Sequence, residues 1–487
     1  LAKNKRALSR HSENKWVILT LLVVAQFMVI LDVAIVNVAL PTISRKLHFQ
    51  PNDLQWVITA YTLTFGGFLL LGGRASDLFG RRRIFLSAVC LFSTMSLLCG
   101  LAQSETMLII TRACQGFAAA IMSPAALSIV LAEFKEGSER NKAMGVWGAV
   151  GAGGAAAGVL LGGIITQYLG WRWNFFVNVP VGICVVVAGL SLLPRKIGEE
   201  NKKIKLDLIG ASLATIGLIS LVYGLSKAPT LTWGSKTVWE FIAAGLILLV
   251  LFVINENRAE QPLMPLRIFK IRNVAGGNLA FIVIACTLFS MFFFLTLYVQ
   301  DVLGYSPVKT GLSFLPITII IGIMSAIVAN LVGKIGYKPP MVVGPIVLAG
   351  GLYILSHSLK VGGNYWDNVF PGLATCAVGM GLTFVSGTLA ATSGVPKHFS
   401  GLASGILNTS QQVGGAIGLA ILSAVAYSTI KTETLVHHSA PAVAQVQGYK
   451  DALKVGVGLA LAGAVVVAIV VKNQIVDAKE AMAASAG

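Results

Sequence analysis

Two ionisable residues stand where a bilayer would put only lipid-compatible side chains. Asp32 lies near the middle or slightly beyond of an apolar run over 16–40, and Arg112 lies near the start of another over 107–131. Charge in hydrocarbon is costly, so such groups face a protein interior or a wet cavity and mark ion or proton paths. Burial penalises the charged form of a carboxylate. Asp32 is therefore suited to loading a proton on one side and releasing it on the other, or to holding a cation. Arg112 keeps its charge at any accessible pH and needs an acceptor or water, and its fixed charge biases protonation around it. Gln115 and Gly116 share its helix face at i+3 and i+4. The bland readings are an Asp satisfied by helix neighbours and an Arg snorkelling to the outer interface.

Other polar groups sit inside apolar runs: Asn37, Tyr61, Asn408, Gln411 and Gln412. Each needs a partner or a wet cavity, so with Gln115 they are candidates for substrate contact or for gluing helices together. Phe289, Met291, Phe292, Phe293 and Phe294 form a cluster expected to pack toward lipid, with a cavity wall for apolar ligands as the alternative. Catalytic and metal signals are weak. His48 and Asp53 make an HxxxxD spacing with nothing beside it, and His437-His438 lacks acid or Cys partners at ligand spacing. Asn408-Thr409-Ser410 is a sequon only by pattern, inside a helix. No GxxxxGK[ST] phosphate loop occurs, which argues against ATP-driven transport within the chain and against enzyme chemistry of that type.

The elements that must hold these residues follow from composition. The 487 residues are 55% apolar and 12% charged, against about 25% charged in a soluble protein. At about 20 apolar residues per span, that supplies roughly thirteen membrane helices. Along the chain, fourteen are legible, at about 16–40, 54–72, 84–102, 107–131, 143–168, 173–193, 207–226, 239–255, 274–299, 311–333, 340–357, 368–392, 402–427 and 454–471. The expected fold is all-α and integral to the membrane. The net charge of +17 is an orientation signal. With the N-terminus inside, 26 Lys and Arg fall on the inner side, 10 on the outer side and one, Arg112, within a span, which places both termini in the cytoplasm. Nucleic acid is not an expected partner; the lipid bilayer is. The six cysteines all lie in apolar runs without a CxxC pair, as packed membrane thiols do.

The chain echoes itself. Gly145 and Gly158 of the fifth run match Gly405 and Gly418 of the thirteenth, both at an offset of 260. Gly80, in Gly73 to Arg83, aligns with Gly336, although Gly333 stands where Asp77 should. Two six-helix bundles, 16–193 and 274–471, with a linker and inserted helix pair over 194–273 and tails over 1–15 and 472–487, account for both echoes. Repeated halves around a midplane site are a transporter architecture. Gly154, Gly158 and Gly162 recur at i+4 and give a smooth packing face, which Gly414 and Gly418 reproduce in the thirteenth run. In the turn after the second run, Gly73 and Gly80 permit a tight turn. Asp77 there is placed to pair with Arg81 or Arg82, a contact that can hold one conformation shut. The arginines also serve as a topology anchor.

Four stretches carry a family likeness: Leu31 to Pro41, Gln55 to Leu63, Gly73 to Arg83 and Gly401 to Gly415, with Thr111 to Gly116 beside them. Over nearly the whole chain apart from the tails, it resembles the major facilitator superfamily, in particular the 14-span drug:proton antiporters of the EmrB/QacA type. The resemblance implies a multidrug exporter in the cell membrane, working by alternating access and driven by the proton motive force without a cofactor. Small-molecule substrate and protons are its implied ligands, and an accessory export protein is left open. It assigns proton coupling to Asp32 and Arg112, and gating to the turn from Gly73 to Arg83. Two departures stand out. Ala75 and Ser76 occupy places where the family often has Leu and Ala, and Val159 follows Gly158 where the antiporter motif has Pro. A symporter or facilitator for a small nutrient is the alternative reading on the same fold.

Overall fold

The computed structural model describes residues 2–50, 52–134, 138–194, 206–395 and 400–475. The first half comprises α1 (Ala2–Leu47), α2 (Trp56–Phe79), α3 (Arg81–Gly100), α4 (Glu105–Glu133) and α5 (Ser138–Tyr168), then a sixth span built from a short α6 (Trp173–Phe176) and α7 (Asn178–Leu192). The inserted pair is α8 (Leu208–Leu231) and α9 (Lys236–Arg258). The second half comprises α10 (Arg272–Leu297), α11 (Pro307–Ile335), α12 (Lys338–Ser358), the short α13 (Tyr365–Asn368), α14 (Phe370–Thr392), α15 (Ser400–Leu435) and α16 (Pro441–Val470). Fourteen helical segments are long and apolar enough to cross a bilayer, as the hydropathy pattern predicts. Helix extends beyond several expected spans. α1 starts at Ala2 and runs through the stretch expected as a tail, and α10 continues into a π-helical turn, Tyr298–Val302. Parts of the expected linker (195–205) and C-terminal tail (476–487) lie outside the described residues.

Local chemistry sets the element ends. Ser104 caps α4 by accepting from the Met107 amide, and Asp207 caps α8 by accepting from the Gly210 amide. Ser306 caps α11, with Pro307 at the first helical position. The turns after α2 and α11 both pivot on a glycine with positive φ, Gly80 at 92° and Gly336 at 81°. A side chain would strain that backbone. The weaker sequence echo is thus a repeated turn geometry.

Small faces let the core helices approach. Added methyls at Gly154 and Gly158 would meet Ile30 and Ala34 of α1, the latter at 2.6 Å, and Gly162 lies against Ile35. Gly414 and Gly418 lie against the backbone of Ile282 and Cys286 of α10. α5 on α1 and α15 on α10 are therefore the same packing made twice, one per half. α5 has no proline and runs unbroken past Gly158-Val159.

The α5–α11 seam between the halves is tight at one end. Away from the termini, Gln300 donates to the Val38 carbonyl at 2.8 Å, and the Val308 amide donates to Gln167 at 3.2 Å. Leu31, Ile35 and Val36 share one apolar cluster there with Phe294, Leu295, Tyr298 and Val299. Toward the termini the first half has a cluster of its own, from Ile18 to Leu193, and Leu70 also packs against Ala403 and Ile406 of the second half. There α5 and α11 part. Gly163 contacts Pro307 and Gly311 contacts Val159, while Gly145, about five turns toward the termini on the same side of α5, has nothing within 4 Å of an added methyl. α5 and α11 are thus closed on each other at the far end and apart at the end bearing the termini, while α2 and α15 stay in contact as far as Leu70 and Gly405.

The aromatic cluster of the ninth span corrects an expectation. Met291, Phe293 and Phe294 are fully buried, and Phe289 and Phe292 pack partly buried against the same core. α10 has α14, α15 and α16 around it and touches α1. A helix apolar on every side belongs in such a place, not on the lipid face.

Candidate functional site

The site is built on α1, α4 and the start of α7. Asp32 has no exposed surface, and Arg112 is 1% exposed. Arg112 Nη1 donates to Asp32 Oδ2 at 2.5 Å. Asp32 Oδ1 accepts from Gln115 Nε2 and from Asn178 Nδ2, each at 2.9 Å. Three N–H donors converge on the two oxygens. An ionised carboxylate is acceptor-only, and this is the form the donor set satisfies.

Arg112 spends its remaining bonds inward. Its Nε donates to the Val57 carbonyl of α2 at 3.1 Å, and Nη1 also donates to Gln115 Oε1 at 2.8 Å. The guanidinium lies 4.2 Å from the Tyr61 ring centroid and 5.8 Å from that of Phe175, so aromatic faces add cation–π attraction. The snorkelling alternative for Arg112 is overturned. Its side chain points into the protein because Asp32 and the Val57 carbonyl supply the acceptors.

Of the residues expected from sequence, the fold joins Asp32, Arg112, Gln115 and Tyr61. Gln115, expected at the substrate, gives its amide to the ion pair. The Tyr61 hydroxyl is buried without a hydrogen-bond partner, and its ring is the wall under Arg112. Asn37 stays apart, bonded to its own helix at Val33 O. Asn408 bonds to Ser404 O and is exposed, and Gln411 is half-buried. On α15 they lie between the side packed on α2, through Gly405 and Gln412, and the side packed on α10, through Gly414 and Gly418. That arc faces the cleft between the halves.

Asn178 and Ser96 are the missed members. Asn178 Nδ2 also reaches Ser96 Oγ at 3.0 Å, and Ser96 donates to Phe175 O. The available signal was an amide inside the apolar run 173–193. Only the return of α7 to α1 reveals its target. At the termini end, Asp77 pairs with Arg81 at 3.0 Å, and Arg81 also reaches the Ser128 carbonyl of α4. Arg82 instead donates to Leu190 O of α7. Gly73 lies 3.8 Å, by an added methyl, from Pro124 of α4. Asp53, half of the HxxxxD pattern, pairs with Lys227 of α8 at 2.8 Å. No metal-binding group of acids, His and Cys occurs among the described residues.

The model of the Major Facilitator Superfamily matches residues 22–419. The chain belongs to the Major Facilitator Superfamily. This superfamily member is 38% identical over 479 residues to the puromycin resistance protein pur8 of Streptomyces alboniger, covering 97% of this chain and 94% of that one. It is 39% identical over 413 residues to the cephamycin export protein CmcT of Amycolatopsis lactamdurans, covering 84% of each. Among solved structures, the POT family transporter PepTSo matches with a TM-score of 0.68 at 16% identity, over 93% of this chain and 97% of that one. That likeness supports the fold. The protein is thus a multi-pass membrane transporter of this superfamily, and the ion pair described above sits inside its first half.

Proposed function

We propose that this protein exports amphipathic or cationic small molecules in exchange for protons, by alternating access. In this reading it lies in the cell membrane with both termini cytoplasmic, driven by the proton motive force and without a cofactor or enzymatic activity. Relatives named for antibiotic resistance and export support the direction of transport. The buried Asp32–Arg112 pair carries the proton-coupling part.

Protonation of Asp32 converts an acceptor-only carboxylate into a group with a hydroxyl to donate. It ends the attraction that ties α1 to α4 and leaves Arg112 with the Val57 carbonyl and Gln115. A proton arriving at Asp32 therefore loosens one arrangement of helices and favours another, which is what coupling requires. With Arg112, Gln115 and Asn178 all donating to it, Asp32 stands in the proton-released arrangement of this cycle. Because Asp32 has no exposed surface, substrate does not compete with the proton by touching it. Competition runs through the position of α1 against α4, while groups on the cleft, such as Asn408 and Gln411, meet the substrate. The turn from Gly73 to Arg83 acts as the gate, with the Asp77–Arg81 pair bracing α2 against α4.

The test uses everted vesicles with an acid interior. Addition of an exported compound collapses the pH gradient. A broad panel of amphipathic cations and neutral antibiotics that moves no protons overturns the antiport reading.

A further inference from the structure

A groove of about 560 Å³ opens on the outer wall of the first half, at the end that bears the termini. α3 supplies Arg82, Arg83, Leu86, Ser87 and Cys90, and α7 supplies Val186 and Leu190. The α3 residues form one stripe at i, i+1, i+4, i+5 and i+8, and the α7 pair is spaced i, i+4, so two helix faces wall a trough. The trough is graded along its length. The two guanidiniums line the end nearest the membrane surface, with Leu190 at their level and 58% exposed. Leu86, Ser87, Val186 and Cys90 line the rest.

The charges at the polar end are uncompensated. The neighbouring Arg81 is neutralised by Asp77, but neither Arg82 nor Arg83 has an ion pair with a described residue. Arg82 gives Nη2 to the Leu190 carbonyl, while its Nε is buried and without a partner. We propose that this groove binds an anionic phospholipid. The phosphate sits between the guanidiniums of Arg82 and Arg83, and one acyl chain runs past Leu190 along Leu86, Val186 and Cys90. Charge complementarity selects the headgroup, and the apolar trough selects a lipid over a free anion. Basic pockets between helices at this level suit such headgroups. Because Arg82 directly follows the Asp77–Arg81 pair, the bound lipid also steadies the turn between α2 and α3.

The full-length protein in detergent is titrated with dioleoyl phosphatidylglycerol or dioleoyl phosphatidylcholine, and retained lipid is counted by native mass spectrometry. The expected result is selective retention of phosphatidylglycerol. It falls about thirty-fold in the Arg82→Gln/Arg83→Gln double variant, the loss of two surface-level cation contacts. Leu190→Trp keeps both arginines and fills the trough, and it reduces retention as well; it decides the matter if the double variant fails to fold. Equal retention of the two lipids, or wild-type selectivity in the folded variants, overturns the proposal. Displacement of the lipid by millimolar inorganic phosphate overturns it in favour of a soluble-anion site. None of these readouts depends on proton-coupled export.

Discussion

Asp32 and Arg112 form a pair in which each residue makes the other tolerable. Removing one partner of a buried ion pair leaves an uncompensated charge and costs about 3–5 kcal/mol, whereas replacing both is often near neutral. Asp32→Asn is therefore expected to lower thermal stability markedly and to end proton-coupled export. Asp32→Asn combined with Arg112→Gln is expected to recover most of the stability and none of the coupling. Melting curves and proton flux in vesicles separate the two effects. Wild-type proton-driven export by either variant removes Asp32 from the mechanism.

At the scale of elements, the two ends of α5 differ in what they touch, and that difference is testable. Gly158 packs on Ala34, so Gly158→Val overpacks the α1 interface. A loss of about 1–3 kcal/mol is expected, read as a lower melting temperature. Gly145 has open space beside it on the side that faces α11. Gly145→Leu is expected to hold or slightly raise stability, since leucine is the better helix former by up to about 1 kcal/mol. The same side chain obstructs closure of α5 on α11 at the termini end. Spin-label distances across that end should report a population held open, with transport reduced. Unchanged populations and transport would contradict the splayed-helix account.

For the whole molecule, the proposed alternating access requires the two halves to rock as bodies. The inserted pair belongs to this movement through its attachments. Lys227 of α8 holds Asp53 at one face, and at the other Arg74 of α2 donates to the carbonyls of Gln261 and Pro262. α8 and α9 are thus tied to the first half at both faces, although α8 also lies along α15. A link between the halves should be more damaging. With the exposed Cys90, Cys114 and Cys184 replaced by Ser, a short cross-linker between Gln167→Cys and Val308→Cys is expected to abolish transport, and cleaving the linker to restore it. Transport at the uncross-linked rate with the link intact would show that this end does not need to open.

The sequence alone determined the number of helices, because about 20 apolar residues per crossing is a length the bilayer imposes. It also pointed to a repeat, since Gly145/Gly405 and Gly80/Gly336 keep their spacing wherever the helices lie. It picked out Asp32 and Arg112 because charge is rare in apolar runs, whatever their partners. Tertiary structure decided the rest. Asn178 and Ser96 are ordinary polar residues until α7 returns beside α1, and the Val57 carbonyl carries no side-chain signature at all. The phenylalanines of α10 could not be assigned to lipid or core from a helix that is apolar on every side. Two groups far apart in the chain become an ion pair only when close packing brings their helices together, and that distance is set by the fold as a whole.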